Sequence, residues 1–225
     1  MSIWQFKSAA ADALMIHLEP RIELTINARV QQLARSLPTQ FPWLLEVVPS
    51  YHSLLLYYDV LQCDEKQVRE QLKPVVDALL QEPLSMGAQG KLHTIEVCYD
   101  PDLGADLNHI AADFPGGIDD VIRLHTEPTY HVYALGFAPG FAYMGDVVEA
   151  LRRERHATPR QRVPRGSVAI AGQQTALYPQ TSPGGWQLLG RACRWPQLHA
   201  GDHVRFVAIA RDVYEQQRRE FGDDA

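Results

Sequence analysis

The sequence predicts an α+β protein of two domains, a small N-terminal α/β sandwich over residues 1–84 and a β-rich domain over residues 91–225. Three observations carry that reading. Glycine is absent from residues 1–86, and all 15 glycines follow. The glycine-free stretch mixes apolar residues at helical spacing with short β-branched and aromatic runs. Beyond it the chain breaks into short strand-like runs punctuated by Gly and Pro, the pattern of a barrel or a sandwich. Residues 82–90 collect Pro, Ser and Gly between the two patterns and read as the linker.

In the first domain, residues 13–18 form an apolar run suited to a strand. Ile26, Val30, Leu33, Ala34 and Leu37 recur at helical spacing until Pro38 and Pro42 stop the helix. Residues 44–48 and 53–58 read as two strands around a Pro49-Ser50-Tyr51-His52 turn. A second helix starts at Asp64, whose carboxylate can accept from exposed first-turn amides, with Gln67 placed to complete a capping box. Val68, Leu72, Val75 and Leu79 supply its buried stripe, and Pro74 inside it predicts a kink or a shorter helix. The order is βαββα.

In the second domain, Ile95, Val97 and Tyr99 alternate with Glu96 and Cys98, the period of a half-buried strand. Residues 106–112 and 118–125 read as short helices, the latter with Asp119 and Asp120 near its electropositive start. Residues 130–135, 168–170, 175–178, 186–189 and 203–209 are the remaining strands. Alternation along 175–178 puts Thr175 and Leu177 on one face and Ala176 and Tyr178 on the other.

The net charge of -6 argues against a general nucleic-acid binder, because neutralising phosphates takes a basic excess. Residues 1–10 lack the pattern of a secretory leader, and no run approaches 18 uninterrupted apolar residues, so no membrane partner and a cytoplasmic location are expected. Cys63, Cys98 and Cys193 lie far apart and read as reduced structural thiols. The phosphate loop, the nucleophile elbow, the zinc helix and the dinucleotide fingerprint are all missing. His199 and His203 flank Gly201 in strand-like sequence, so they would not share a helical face; no metal is expected.

Two loops concentrate Gly, Pro and aromatic residues: Gly136-Phe137-Ala138-Pro139-Gly140-Phe141-Ala142-Tyr143 and Thr181-Ser182-Pro183-Gly184-Gly185-Trp186. Pro followed by Gly suits a type II turn in each, which can bring backbone amides close to a ligand or simply close a β-connection. Between them, residues 152–165 hold Arg152, Arg153, Arg155, Arg160, Arg162 and Arg165 against only Glu154. Guanidinium groups grip carboxylates and phosphates through paired hydrogen bonds, so this stretch suits a carboxylate substrate, a phosphate intermediate or an acidic partner. Arg160, held by Pro159 and followed by Val163-Pro164, is the best constrained. Ser167, Gln173, Gln174, Thr175 and Tyr178 offer neutral hydrogen-bonding groups near strand ends.

The ordered run G-F-A-P-G-F-A-Y-M-G from Gly136, T-P-R from Thr158, V-P-R-G-S-V-A-I-A-G from Val163, Q-T-A-L-Y-P from Gln174 and S-P-G-G-W-Q-L-L-G-R from Ser182 resembles the family of 5-oxoprolinase B subunits. That family is also described as allophanate hydrolase subunit 1-like and includes the sporulation-kinase inhibitor KipI. The motifs cover about half of the chain. Met144 stands where relatives more often carry Leu, a swap that conserves volume.

The resemblance implies a cyclophilin-like β-barrel in residues 91–225. It further implies one component of a heteromeric enzyme, which acts with C-type and A-type subunits to open 5-oxo-L-proline to L-glutamate at the expense of ATP. ATP would be a co-substrate of the complex, with no tightly bound cofactor. On the matching motif positions, Phe137, Tyr143, Arg160, Ser167, Gln174, Thr175, Tyr178 and Trp186 are the expected substrate-binding residues. Arg160 would hold carboxylate or phosphate, and His125 would carry protons; no nucleophile is identified. The inhibitor branch supplies the rival expectation, a regulatory protein that docks on a sensor histidine kinase. A part of a biotin-dependent urea-metabolising enzyme is a third reading, disfavoured by the lack of a biotin-acceptor segment.

Overall fold

A computed structural model describes residues 4–84 and 90–221. The chain divides into two compact units, Met1–Gln89 and Gly90–Ala225. Part of the expected linker, residues 85–89, lies outside the described residues.

The first unit runs β1 (Gln5–Ala10), β2 (Ala13–His17), α1 (Leu24–Ser36), β3 (Leu44–Pro49), β4 (Ser53–Tyr58) and α2 (Glu65–Gln81). Its four strands form an antiparallel sheet in the order β1-β2-β4-β3. Leu14 and Ile16 of β2, Leu54 and Leu56 of β4, Val30 and Leu33 of α1, and Val68, Leu72 and Val76 of α2 form one buried core. The Asp64 carboxylate accepts from the Gln67 amide at 2.8 Å while the Gln67 side chain accepts from the Asp64 amide at 2.9 Å, so the capping box is present. Two sequence expectations fail here. The strand β1 precedes the expected βαββα order: it is a mostly exposed edge strand held by backbone pairing to β2, so it carries no alternating apolar signal. The helix α2 also continues through Pro74, which lies on its exposed face where water can satisfy the carbonyl left without an amide donor, and Val76 replaces Val75 in the fully buried stripe.

The second unit contains β5 (Leu92–Val97), α3 (Leu107–Ala111), α4 (Ile118–Thr126), β6 (Tyr130–Leu135), β7 (Ala142–Gly145), β8 (Arg160–Val163), β9 (Ser167–Ala171), β10 (Gln174–Leu177), β11 (Ser182–Gly184), β12 (Gln187–Arg191), β13 (His203–Ala208) and α5 (Arg211–Phe221). Seven strands lie in the order β12-β9-β10-β7-β6-β13-β5, antiparallel except for the parallel pair β13–β5. The two end strands nearly close on each other. Cys98 donates its amide to the Arg191 carbonyl at 2.9 Å and accepts from the Arg191 amide at 3.0 Å, just beyond β5 and at the end of β12. This is the cyclophilin-like β-barrel that the motifs imply. The pair β8–β11 forms a separate two-stranded ribbon.

Two cores lie on opposite faces of the barrel wall. Ile95, Val132, Met144, Val168, Ile170, Leu177 and Phe206 join Leu107, Ile110 and Val121 from the two short helices in the interior core. Ala169, Ala171, Ala176, Tyr178 and Leu188 point the other way, into a smaller core completed by Phe141, Val163 and Trp186. Leu177 and Tyr178 therefore separate as the alternation predicts. The elements β7, β8, β11 and α5 were not expected. The three strands are only three or four residues long, and α5 is an ion-paired helix with little apolar surface, so neither period stands out.

Candidate functional site

The outer core opens into a groove of about 280 Å³ lined by Phe137, Phe141, Tyr143, Tyr178 and Trp186, with Arg155 and the Pro183-Gly184-Gly185 backbone at its edge. The loop between β6 and β7 builds one wall. Its Ala138-Pro139-Gly140-Phe141 turn closes with the Phe141 amide donating to the Ala138 carbonyl at 3.0 Å, and Gly140 has φ 82°. That is the expected type II turn, in which the third residue needs positive φ. Phe137 also sits at positive φ, 66°, a conformation that costs a non-glycine residue about 1–3 kcal/mol and is tolerated where surrounding structure enforces it.

Phe141 is the hub of the groove. Its ring meets Phe137, Tyr143, Tyr178 and Trp186 edge-on, with centroids 5.2, 4.8, 5.4 and 5.8 Å away. Such edge-to-face pairs favour one arrangement of rings over a mobile cluster. Phe137 stays 63% exposed, so one aromatic face remains available at the rim. The Arg155 guanidinium carbon lies 5.4 Å above the Trp186 ring, and among the described residues no carboxylate comes within ion-pairing distance of Arg155. Burial pushes the Tyr178 hydroxyl above its ordinary pKa, so it is a neutral hydrogen-bonding group at physiological pH.

The second expected turn does not form. Ser182–Gly184 is extended and pairs with β8, and neither Gly184 nor Gly185 has positive φ. Gly184 is required for a different reason: a Cβ there would run into the Tyr178 hydroxyl and ring.

Of the residues singled out from sequence, the structure brings Phe137, Tyr143, Tyr178 and Trp186 together in the groove. It does not bring the others. Arg160 donates to Asp106 Oδ1 at 2.6 Å, inside a network where His156 Nε2 lies 3.1 Å from the same oxygen and the Leu188 amide donates to Oδ2 at 2.7 Å. With Asp106 only 6% exposed, the guanidinium neutralises a buried carboxylate of its own chain and is not placed to grip a ligand in the groove.

His125 is likewise corrected: it is fully buried in the barrel interior, stacked on Phe206 at 4.7 Å. Tyr99 Oη lies 2.7 Å from its Nδ1 and Thr175 Oγ1 2.9 Å from its Nε2, while Thr175 also donates to the Ala169 carbonyl at 3.1 Å. A neutral ring protonated on Nε2 satisfies all three contacts. Burial lowers its pKa to about 3, so His125 stays neutral near physiological pH and does not shuttle protons to the groove. Thr175 is consumed by the same network. Ser167 is fully buried within β9, and Gln174 begins β10 opposite Gly145 and Ala171; neither lines the groove.

Arg155 is the residue that sequence reasoning passed over. It lies in the arginine-rich stretch, where the neighbouring prolines favour Arg160, whose partner is 54 residues away and outside the reach of local spacing. The groove lining contains no thiol, imidazole, amine or carboxylate that could act as nucleophile or general base. Among the described residues no group of three or more His, Cys, Asp or Glu side chains could hold a metal ion, and no helix is long and apolar enough to cross a membrane. The arrangement suits binding of a small, flat, partly apolar molecule with one anionic group.

Fold and groove together define a two-unit α+β chain whose barrel carries an aromatic groove. Residues 4–197 match the family described as carboxyltransferase domain, subdomain C and D, and the chain belongs to that family, among proteins of the 5-oxoprolinase B-subunit type. It is 34% identical to the 5-oxoprolinase B subunit of Bacillus subtilis (strain 168), over 96% of this chain and 98% of that protein. It is also 34% identical to the 5-oxoprolinase B subunit of Haemophilus influenzae, over 87% of this chain and 93% of that one. Among solved structures, TTHA0988 is 36% identical with a TM-score of 0.76, covering 89% of this chain; the chain spans 40% of TTHA0988. The Kluyveromyces lactis urea amidolyase shares the fold at a TM-score of 0.79 and 17% identity, with 98% of this chain covering 16% of that enzyme.

Proposed function

We propose that this chain is the B component of a cytoplasmic, ATP-dependent 5-oxoprolinase that opens 5-oxo-L-proline to L-glutamate together with A-type and C-type subunits. The observation that carries the proposal is the 34% identity to 5-oxoprolinase B subunits along almost the whole length of both chains. The groove supports it chemically. A five-membered lactam ring can lie against the Phe137, Phe141 and Trp186 walls, its carboxylate can meet the Arg155 guanidinium, and the Tyr143 and Tyr178 hydroxyls can contact its amide.

Opening the ring requires an activated carbonyl. ATP, the co-substrate, would transfer its terminal phosphoryl group to the lactam oxygen and leave as ADP; one water adds to the activated carbon and the ring C–N bond breaks to give the amine and an acyl phosphate, which a second water hydrolyses to the carboxylate and inorganic phosphate. A groove with no base or nucleophile of its own binds and orients, so the water-activating groups belong to the partner subunits. The test is ATP-dependent glutamate release from 5-oxoproline by this chain alone, with a C-type subunit, and with A-type and C-type subunits together. Turnover is expected only in the complete mixture. Turnover by the chain alone, or none in a mixture whose components are shown folded and bound, would overturn the proposal.

A further inference from the structure

A second cavity in the barrel unit, of about 570 Å³, shares no lining residue with the aromatic groove. Arg162, Arg165, Arg191 and Arg218 line it, together with Thr181 and Gln180, and no lining residue is a carboxylate. In a chain of net charge -6 this is a sharp local reversal of sign. Four guanidiniums around one cavity repel each other. Arg218 has Glu215 at 3.4 Å from its Nε, but Glu215 is shared with Arg211 at 2.9 Å. Arg162 and Arg191 lie within ion-pairing distance of no carboxylate among the described residues.

The cavity is built on fixed parts of the fold. Arg191 ends β12 at the bridge to Cys98 and donates its Nε to the Arg165 carbonyl at 2.7 Å. The Arg165 guanidinium carbon lies 4.5 Å above the Trp195 ring, and the Arg165 amide donates to Thr181 Oγ1 at 3.2 Å. With that oxygen accepting, the Thr181 hydroxyl proton is available to a ligand. Planar guanidiniums match the paired oxygens of a phosphate, two of the four, those of Arg165 and Arg191, are held by these contacts, and a concave space of this size suits a small molecule better than a protein surface.

We propose that this cavity is a binding site for a phosphate-bearing small molecule, separate from the aromatic groove. The inference concerns the isolated chain and does not depend on the reaction proposed above. It is tested by calorimetric titration of the full chain with inorganic phosphate, tripolyphosphate and ATP, and with a polyglutamate peptide as the acidic-polypeptide arm. Variants Arg162→Gln and Arg218→Gln, singly and together, remove cavity charges; Arg205→Gln removes an exposed arginine of β13 outside the cavity.

Saturable binding of at least one phosphate compound is expected, weakened about tenfold or more in the double variant. It should also fall steeply between about 50 and 200 mM salt, and Arg205→Gln should leave it unchanged. Equal affinity for tripolyphosphate and ATP would mean that the site reads phosphate alone; tighter ATP would add a contact to the nucleoside. The more conservative Arg162→Lys, which keeps the charge but not the fork, should weaken binding less than Arg162→Gln and guards against a folding artefact. No saturable binding of any phosphate compound, equal loss in Arg205→Gln, or binding of polyglutamate alone would overturn the proposal.

Discussion

Arg160 and Asp106 meet at 2.6 Å across 54 residues of chain, and this ion pair joins β8 to the segment that leads into α3. It assigns the two neighbouring arginines different work. Arg160 is structural, whereas Arg155 faces the groove. Arg160→Ala leaves the buried Asp106 carboxylate short of its cation and should destabilise the barrel unit by about 3 kcal/mol. Arg155→Ala gives up only a rim cation–π contact, about 0.5–1 kcal/mol. Urea unfolding of the two variants side by side checks the order; equal effects would show that the pair at Asp106 does not matter to stability.

Two histidines, His125 fully buried and His131 partly buried, set a pH dependence. Burial lowers His125 to about 3, and burial with the neighbouring His203 lowers His131 to about 4. In the unfolded chain both titrate near about 6.5. The unfolded state therefore binds the extra protons first, so stability is unaffected above about 6.5 and falls as pH drops toward the folded values. Between pH 6 and 5, above most carboxylate titration, each histidine adds a slope of up to about 1.4 kcal/mol per pH unit. His125→Gln should flatten the stability profile by one such increment, measured by urea unfolding across that interval. An unchanged slope would mean that His125 is not held neutral.

Gly184 faces the Tyr178 hydroxyl, and Tyr178 is itself boxed in by the edge of Phe141 at 5.4 Å. Gly184→Ala should cost about 1–3 kcal/mol through overpacking and shift Trp186 emission as the groove rearranges. Gly172→Ala is the matched control. Its φ is 54° with nothing near the added methyl, so it should cost about 1–2 kcal/mol for backbone conformation alone and leave the emission where it was.

These relationships show which parts of the molecule were legible in the sequence. Thr175, Ala176, Leu177 and Tyr178 could be assigned to faces because both faces of β10 are buried, in different cores. The Asp64–Gln67 cap was legible because its partners are three residues apart. By contrast, β1 is exposed and held by its backbone, so its side chains carry no pattern. The aromatic half of the groove could be read from the Gly- and Pro-rich loops. Which arginine serves it could not, because the choice depends on where a carboxylate from residue 106 arrives in the folded barrel. His125 misled for the same reason, since a histidine at the end of a short helix looks titratable until the barrel closes over it.

Steady-state kinetics of Arg155→Gln in the reconstituted three-subunit enzyme test whether the aromatic groove with Arg155 holds the substrate, as proposed. A KM for 5-oxoproline raised about tenfold or more is expected, with the stability of the isolated chain lowered by no more than the about 0.5–1 kcal/mol of the lost cation–π contact. An unaltered kcat/KM would contradict it and move the substrate site out of this groove.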